Sequence, residues 1–427
     1  MQSFLLNWTI LISINKPSPG GRWHFRKEMT DEGIARYTIP PSSLRDTTFL
    51  YTREAELLTM NLKSIFKTPC FYFIMLLPIG LLLIGAARFV PGFADFYYRT
   101  FYRFFGGIFG SITGILPFSL MEAGIASLVF LLVYWIIKLV LKSKEDEKAV
   151  LKYFGSVLKS IISLICLLLF LFCAFCGTNY YRAGFADEMG LEVKKSSVDE
   201  LYNLCEFLVD EAIDSGSRLH RGENNITVFD EKNFSMANEA KVEFEKFCAD
   251  YGIADMGFWR FGTPKPVICS EVMAYLQISG VFSPYTFEAN ICTAGPDFLR
   301  GSTMMHEQSH LRGYMNEAEA NFIAYLACAN SDSEFFRYSG TCLALIYSMN
   351  ALYSADYERW YELRIQYPDY LDADMRAQNA YIDAHDTKVA EVSDAVNDTY
   401  LKLNNQQEGT RSYGGIVDLL LAYRRSL

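Results

Sequence analysis

The chain has 427 residues, of which 51% are hydrophobic and 15% are aromatic, and its formal net charge is -10. A chain of this length corresponds to two or three domains of about 150 residues each. The acidic balance argues against binding of nucleic acid, because that function needs a basic face for the phosphate backbone.

The N-terminal segment, residues 1–59, contains no predicted membrane span. Its apolar stretch from Phe4 to Ile14 is shorter than the roughly 20 residues that cross a bilayer. No basic region precedes this stretch and no small-residue cleavage site follows it, so a signal peptide is not predicted. Met60 makes a natural start, since two lysines follow it ahead of a hydrophobic run. We interpret residues 1–59 as a poorly ordered upstream extension that need not be translated.

Three apolar runs are long enough to cross a membrane, and they define a predicted membrane domain over residues 60–178. They cover about residues 71–90, 121–141 and 157–177, and their few charges lie near their ends. Buried core helices are the alternative interpretation. Three runs of spanning length so close together in the chain favour transmembrane helices over that alternative.

The segment from Pro91 to Phe118, between the first two predicted spans, is rich in phenylalanine, tyrosine and glycine. Its aromatic residues have Arg99 and Arg103 among them, and they are Phe96, Tyr97, Tyr98, Phe101, Tyr102, Phe104 and Phe105. Aromatic side chains with basic neighbours are typical of a helix that lies in the membrane interface. A loop that packs on the helix bundle is the alternative, and the pattern does not distinguish the two.

Positive charge sets the predicted orientation. The segment between the second and third spans contains six lysines (Lys138, Lys142, Lys144, Lys148, Lys152, Lys159), whereas the segment between the first two contains three arginines (Arg88, Arg99, Arg103). Short loops rich in lysine and arginine face the cytoplasm. We therefore predict a multi-pass protein of the cell membrane with a cytoplasmic N-terminus, the lipid bilayer as its partner, and an extracytoplasmic domain over residues 179–427.

The sequence His306-Glu307-Gln308-Ser309-His310 carries the predicted chemistry. Residues four apart on a helix share one face, so both imidazoles can reach one Zn²⁺ ion. Glu307 lies beside them and can take a proton from a water at the metal. An ordinary helix with two surface histidines is the alternative, although the chain has only five histidines. We predict a zinc site with Glu307 as the catalytic base.

The third metal ligand is predicted to be a carboxylate that follows this motif, because catalytic zinc commonly keeps three protein ligands. Gly313 is the expected left-handed end of the first helix, and a second helix is predicted to begin at Asn316. We favour Glu319 over Glu317, since Glu319 shares the apolar face of the second helix and an unpaired carboxylate there would be costly. A capping box between Asn316 and Glu319 is an alternative that needs no metal.

Several separate motifs follow one another in this part of the chain. They are SEVMAYL from Ser270, ISGV from Ile278, PYTFEAN from Pro284, HEQSHLRGYMNEAEANFIAYLAC from His306 and FRYSG from Phe336. In this order they resemble the bacterial membrane-protein family called domain of unknown function 3810, and the resemblance extends from about Met60 to the C-terminal region. Phe287 departs from the family pattern, where a small residue is usual, and Gln308-Ser309 is more polar than the usual pair.

The resemblance implies a relation to the zincin metallopeptidases of the gluzincin type. It implies a mainly α fold, in which three N-terminal transmembrane helices precede a zincin-like, helix-rich α+β metallopeptidase domain. It adds no substrate specificity.

The motif and the resemblance together predict a membrane-anchored zinc metallopeptidase with a peptide or protein substrate. His306, His310 and Glu319 would bind Zn²⁺, and Glu307 would pass a proton from water to the leaving amine. The oxyanion needs another hydrogen-bond donor, and the candidates are Tyr338, Arg337 and Tyr314. Asn321 is a candidate for orienting a metal ligand.

Two other classes of protein are alternatives. The first is a zinc-binding scaffold of zincin shape without proteolytic activity, which would not need Glu307. The second is a transport or signalling component whose outer domain only binds a ligand. The predicted spans carry almost no charge, which is typical of an anchor and not of a transport pathway.

Overall fold

The structure is a computed structural model, and it describes residues 26–29, 35–38, 69–144, 147–229, 233–251 and 262–427. The chain divides into two compact units, Met1–Phe71 and Tyr72–Leu427. In the first unit, strands β1 (Arg26–Met29) and β2 (Ala35–Thr38) form an antiparallel pair. The rest of the predicted extension, residues 1–59, lies outside the described residues.

The chain from Pro69 onwards is mainly helical, as predicted. Its α-helices are α1 (Pro69–Phe89), α2 (Phe93–Tyr97), α3 (Arg103–Thr113), α4 (Leu120–Lys142), α5 (Glu147–Phe175), α6 (Phe185–Glu188), α7 (Val198–Gly216), α8 (Asn233–Asp250), α9 (Ser270–Tyr275), α10 (Arg300–Leu311), α11 (Glu317–Ala329), α12 (Glu334–Ala355), α13 (Tyr357–Arg364), α14 (Asp369–His385), α15 (Lys388–Leu403) and α16 (Ile416–Ser426). A π-helix, Tyr98–Tyr102, joins α2 to α3, and short 3₁₀ helices cover Gly177–Tyr181, Glu223–Asn225, Asp297–Leu299 and Gly409–Gly415.

Three of these helices, α1, α4 and α5, are long and apolar enough to cross a membrane, which confirms the prediction of three such helices. Helix α5 begins at Glu147, well before the predicted start near residue 157. Lysine is a good helix former, so Lys148 and Lys152 extend the helix beyond the apolar run. The lysine-rich segment is therefore mostly helix and not loop.

The aromatic segment between α1 and α4 is helical from α2 through the π-helix to α3. One of its faces is buried and contains Ala94, Tyr98, Tyr102, Gly106 and Gly110. A Cβ at Gly106 would lie 2.8 Å from the Phe287 ring, so glycine is needed there for close packing. The other face exposes large apolar side chains, including Phe101, Phe104 and Ile112.

A small sheet lies beside the buried helix α10. Its strands are β3 (Lys265–Pro266), β4 (Gly280–Ser283) and β5 (Glu288–Ile291), with β5 in the centre, parallel to β3 and antiparallel to β4. Phe287 lies in the tight turn between β4 and β5 and has a φ of 52°. This conformation favours glycine, which gives a physical reason for the small residue of the family pattern. The ring of Phe287 packs against Phe109 and Phe175.

The hydrophobic core of the second unit is formed mainly by α7, α10, α11, α12 and α16. One apolar face of α7 is buried, and it contains Leu201, Leu204, Cys205, Leu208 and Val209. Helices α10 and α11 pack against each other, and most of their residues are buried. Polar side chains on these two helices are therefore removed from water and need partners inside the protein.

Candidate metal centre

Helix α10 presents His306 and His310 on one face, and the centroids of their rings lie 4.6 Å apart. His306 Nδ1 lies 2.8 Å from Asn321 Oδ1, and His310 Nδ1 lies 2.7 Å from the carbonyl oxygen of Tyr314. Both oxygens are acceptors, so each Nδ1 donates. The second ring nitrogen, Nε2, of each neutral histidine then has a lone pair available for a metal.

Glu317 is the carboxylate that meets these two nitrogens. Its Oε2 lies 3.2 Å from His306 Nε2 and 3.5 Å from His310 Nε2. The three side chains each offer one ligand atom within 4.8 Å of the others, and they could hold a metal ion. Glu317 is the first residue of α11, where the helix dipole favours a negative charge.

The placement predicted for Glu319 is wrong, because the structure does not bring its carboxylate to the two histidines. The carboxylate instead accepts hydrogen bonds from the backbone of Phe185 and Ala186, and burial raises the pKa of Glu319 to about 7. Residues two apart lie about 200° apart around a helix, so Glu317 and Glu319 cannot face α10 together. Half of the alternative capping box is present, since the Glu319 N–H donates to Asn316 Oδ1 at 3.2 Å.

Glu307 lies between the histidines and the sheet and is only 4% exposed. The backbone N–H of Phe282 donates to its carboxylate, but Oε2 has no hydrogen-bond partner among the described residues. Gly280 of β4 passes so close that a Cβ there would lie 2.6 Å from Glu307 Cγ. Burial raises the pKa of Glu307, and the two histidines oppose that shift. A buried carboxylate oxygen without a partner is costly, which is typical of a group kept for chemistry.

The charges in this cluster are strongly coupled. Burial alone would lower the pKa of His310, but the nearby Glu317 outweighs burial and raises that pKa to about 9. Burial alone would raise the pKa of Glu317, but His310 and His306 outweigh burial and lower it to about 2. At neutral pH the cluster therefore holds a positive charge next to the carboxylate. A divalent cation could take the place of that proton, since metal binding releases protons from its ligands.

The turn between α10 and α11 positions the third side chain. Gly313 has a φ of 87°, which confirms the predicted left-handed helix end. The Gly313 N–H donates to the His310 carbonyl at 2.8 Å, and the Tyr314 N–H donates to the Ser309 carbonyl at 3.2 Å. These two bonds form a Schellman motif. The motif returns the chain so that the first residue of α11 faces the histidines.

Two further predicted residues contact the histidines. Asn321 accepts the His306 Nδ1 proton, so the structure places it where a residue that orients a ligand would lie. Tyr314 contacts His310 through its carbonyl oxygen only. Its hydroxyl donates to Glu188 Oε2 at 2.7 Å, away from the cluster. Asn321 is one helical turn from Glu317, which explains why both face α10.

The other two candidates, Tyr338 and Arg337, are not brought to the histidines. The Tyr338 hydroxyl donates to the buried carboxylate of Asp374 at 2.6 Å. The Arg337 guanidinium donates to the Ser331 carbonyl at 2.7 Å. Both side chains stabilise the contacts of α12 with its neighbours, so their candidacy as oxyanion donors at this cluster is corrected.

Tyr413 is near the cluster and was not singled out from the sequence. Its carbonyl accepts a hydrogen bond from Asn321 Nδ2 at 3.4 Å. Burial raises the pKa of Tyr413, and the charges of Glu317 and Glu307 contribute to the same shift. Its hydroxyl is therefore within electrostatic range of both carboxylates. Tyr413 lies in a 3₁₀ helix far along the chain, where no periodic pattern marks it.

The molecule is therefore a mainly helical protein with three helices apolar enough to cross a membrane and a buried cluster of two histidines and a glutamate. A family model described as protein of unknown function (DUF3810) matches residues 97–421. The match covers well over half of the chain, so this chain belongs to that family. It includes the helices α3, α4 and α5 as well as the whole cluster. No curated protein and no solved structure matches the chain.

Proposed function

We propose that this protein is a membrane-anchored zinc metallopeptidase that hydrolyses peptide bonds. The observation that carries the proposal is the meeting of His306, His310 and Glu317 at one point, with Glu307 beside them, whose Oε2 has no hydrogen-bond partner among the described residues. Two imidazoles and one carboxylate are a ligand set of catalytic zinc, which keeps a fourth position open for water. Magnesium and calcium prefer oxygen ligands throughout, so the two imidazoles favour zinc.

The proposal includes a zincin-like domain over residues 179–427. Its support is the order of elements in the chain. A His-Glu-x-x-His helix, α10, is followed by a second helix, α11, that supplies a glutamate, and a small sheet lies beside α10. The relation to the gluzincins then rests on Glu317 as the third ligand in place of Glu319.

The residues of the cluster divide the work of hydrolysis among them. Zinc, when bound, would supply a Lewis acid that polarises the substrate carbonyl and makes water a better nucleophile. Glu307 accepts the proton of the attacking water at its free Oε2 and delivers it to the leaving amine nitrogen. Asn321 and the Tyr314 carbonyl hold the two imidazoles in place. Tyr413 is the candidate donor to the oxyanion.

Strand β4 gives an extended peptide a place to bind. It is an edge strand in the described part of the chain, where it pairs with β5 on one side only. Peptides commonly bind by adding a strand to such an edge. Gly280 lies in β4 and touches Glu307, so a peptide paired with this edge passes beside the catalytic carboxylate.

The proposed topology follows from the lysines around the hairpin of α4 and α5. Lys142 lies at the end of α4, and Lys148 and Lys152 lie in the first turns of α5. Under the positive-inside rule, this end of the hairpin is cytoplasmic. The N-terminus would then be cytoplasmic and the metal centre extracytoplasmic in the bacterial cell membrane.

Replacing Glu307 by glutamine tests the proposed mechanism, because glutamine keeps the shape of the side chain and cannot accept a proton. We expect Glu307→Gln to retain zinc and to lower the hydrolysis of a synthetic peptide mixture by about 10²- to 10⁴-fold. The full chain in detergent is used, with zinc measured by elemental mass spectrometry and cleavage by peptide mass spectrometry. Glu319→Gln, a partly buried carboxylate outside the cluster, is the matched control. Full activity of the Glu307 variant would overturn the mechanism.

A further inference from the structure

The metal-binding helix ends against the aromatic segment that joins the first two apolar helices. The Tyr102 hydroxyl donates to the Leu311 carbonyl at 3.0 Å and lies 3.4 Å from that of His310. A Cβ at Gly313 would lie 2.7 Å from the ring of Tyr98. The Tyr102 side chain therefore connects the aromatic segment directly to the end of the helix that contains His310.

A buried ion pair attaches the sheet to the start of α4. Lys265 Nζ lies 2.6 Å from Glu288 Oε1, and the two side chains are only 4% and 1% exposed. Lys265 also donates to the carbonyls of Thr113 and Phe118, on the chain that leads into α4. Glu288 accepts from the backbone N–H groups of the first two residues of α4, where a negative charge is favoured. The strand next to β4 is thereby fixed to the end of an apolar helix.

A third attachment lies where α5 ends. Cys176 Sγ lies 3.8 Å from Met315 Sδ, in the turn between α10 and α11. The guanidinium of Arg182 lies over the rings of Tyr98 and Tyr314, at 3.7 and 4.2 Å. The cluster is thus held to the apolar helices at three places, on both the helix side and the sheet side. The position of the cluster relative to those helices is therefore fixed, because a movement of one against the other would break buried polar contacts.

The exposed face of α3 is apolar and is a candidate surface for contact with the bilayer. Phe104 is 51% exposed, Ile112 is 58% exposed, and Ile115 beyond the end of α3 is 80% exposed. This face is continuous in the chain with the apolar helices α1 and α4, on either side of it. A bilayer that surrounds those helices covers this face as well, in the manner of an interfacial helix.

The contacts of the cluster with the apolar helices, together with the exposed face of α3, indicate where the cluster lies relative to the membrane. Packed helices lie about 8–10 Å apart, and an interfacial helix is buried by about 5–10 Å. A cluster held against such an interfacial helix therefore lies close to the bilayer surface. An extended chain advances about 3.3–3.6 Å per residue, so the first few residues of a chain that leaves the bilayer can reach it.

We infer that the substrates are polypeptides anchored in the same membrane, cleaved within the first few residues after the point where they leave the bilayer. The inference rests on the proposed metallopeptidase function. It adds the class of substrate and a rule for the cleavage position. A substrate held in the bilayer brings its first extended residues to the height of the cluster, whereas residues farther along must loop back to reach it.

The test uses the full chain in phosphatidylcholine nanodiscs, which leave both faces of the bilayer accessible. The substrates are synthetic peptides with a hydrophobic helix of about 20 residues, long enough to span the bilayer, joined to a randomised polar segment of similar length. The matched controls are the same polar segments without the hydrophobic helix, and the Glu307→Gln variant. Cleaved bonds are located by mass spectrometry, and randomisation separates the effect of position from that of sequence.

We expect the bonds that only the wild-type protein cleaves to cluster within the first few residues after the hydrophobic helix. Even cleavage along the polar segment, with the same bonds cut in the soluble controls, would overturn the inference and leave the peptidase function standing. Equal, background cleavage by the wild type and the Glu307 variant on both substrate sets would overturn the proposed function, and the inference with it.

Discussion

Two buried polar clusters in this protein are built in opposite ways. In the pair of Lys265 and Glu288, the lysine reaches a carboxylate and two carbonyls, and the carboxylate accepts from two backbone N–H groups. In the cluster around His306 and His310, one oxygen of Glu307 has no partner among the described residues. The first cluster satisfies its charged groups within the protein, whereas the second leaves one buried carboxylate oxygen without a partner among the described residues. A polar cluster that satisfies itself stabilises a fold, and one that does not is a candidate site.

Lys265→Met should break the first cluster and give the largest effect on stability. It leaves Glu288 buried without its charged partner, which typically costs about 3–5 kcal/mol. We expect a clear fall in the thermal midpoint of the full chain in detergent. Lys246→Met is the matched control, because Lys246 pairs with Asp332 at the same 2.6 Å but is exposed.

A second variant separates the charge of Lys265 from its packing. Adding Glu288→Gln to Lys265→Met removes the orphaned charge, so part of the lost stability should return. If Lys265→Met lowered the midpoint no more than Lys246→Met does, the pair would not be the attachment that the distances indicate.

Asn321→Ala should lower metal affinity and change stability little, in contrast to Lys265→Met, because Asn321 contacts the cluster around His306 and His310. Loss of a residue that orients a metal-binding histidine typically lowers metal affinity by about 10- to 100-fold. We expect that loss in a competition titration with a zinc chelator, together with a small change in the thermal midpoint of the metal-free protein. Asn330→Ala, at the end of the same helix, is the control. Unchanged zinc affinity would show that the His306 hydrogen bond does not position the ring for a metal.

The local features of the site could be predicted from the sequence, and its long-range contacts could not. The helical spacing of His306 and His310 and the left-handed Gly313 follow from residues close together in the chain. The choice between Glu317 and Glu319 depends on which face of α11 meets α10. The apolar residues on the same face as Glu319 favoured Glu319, but α11 is buried on nearly all sides, so an apolar face does not identify the side that meets α10. Asn321 was the better indicator of the face that meets α10, since it is a polar residue one helical turn from Glu317.

The attachment to the apolar helices was missed for the same reason. The contact of Tyr102 with Leu311 joins residues more than two hundred positions apart, and the pattern around one residue does not indicate the other. The sequence predicted a membrane domain over residues 60–178 and an extracytoplasmic domain over residues 179–427. Contacts join the aromatic segment, the sheet and helix α10 within one compact unit, Tyr72–Leu427. Full-length protein is therefore the proper material for each experiment.

The central claim is that His306, His310 and Glu317 form a zinc site, and the zinc content of two alanine variants tests it most directly. Glu317→Ala removes the carboxylate that lies 3.2 Å from His306 Nε2, whereas Glu319→Ala removes one that lies elsewhere. We predict that the full chain and Glu319→Ala each retain about one zinc ion per molecule after dialysis, and that Glu317→Ala loses most of it. Equal zinc content in Glu317→Ala and the wild type would contradict the site, as would selective loss of zinc in Glu319→Ala.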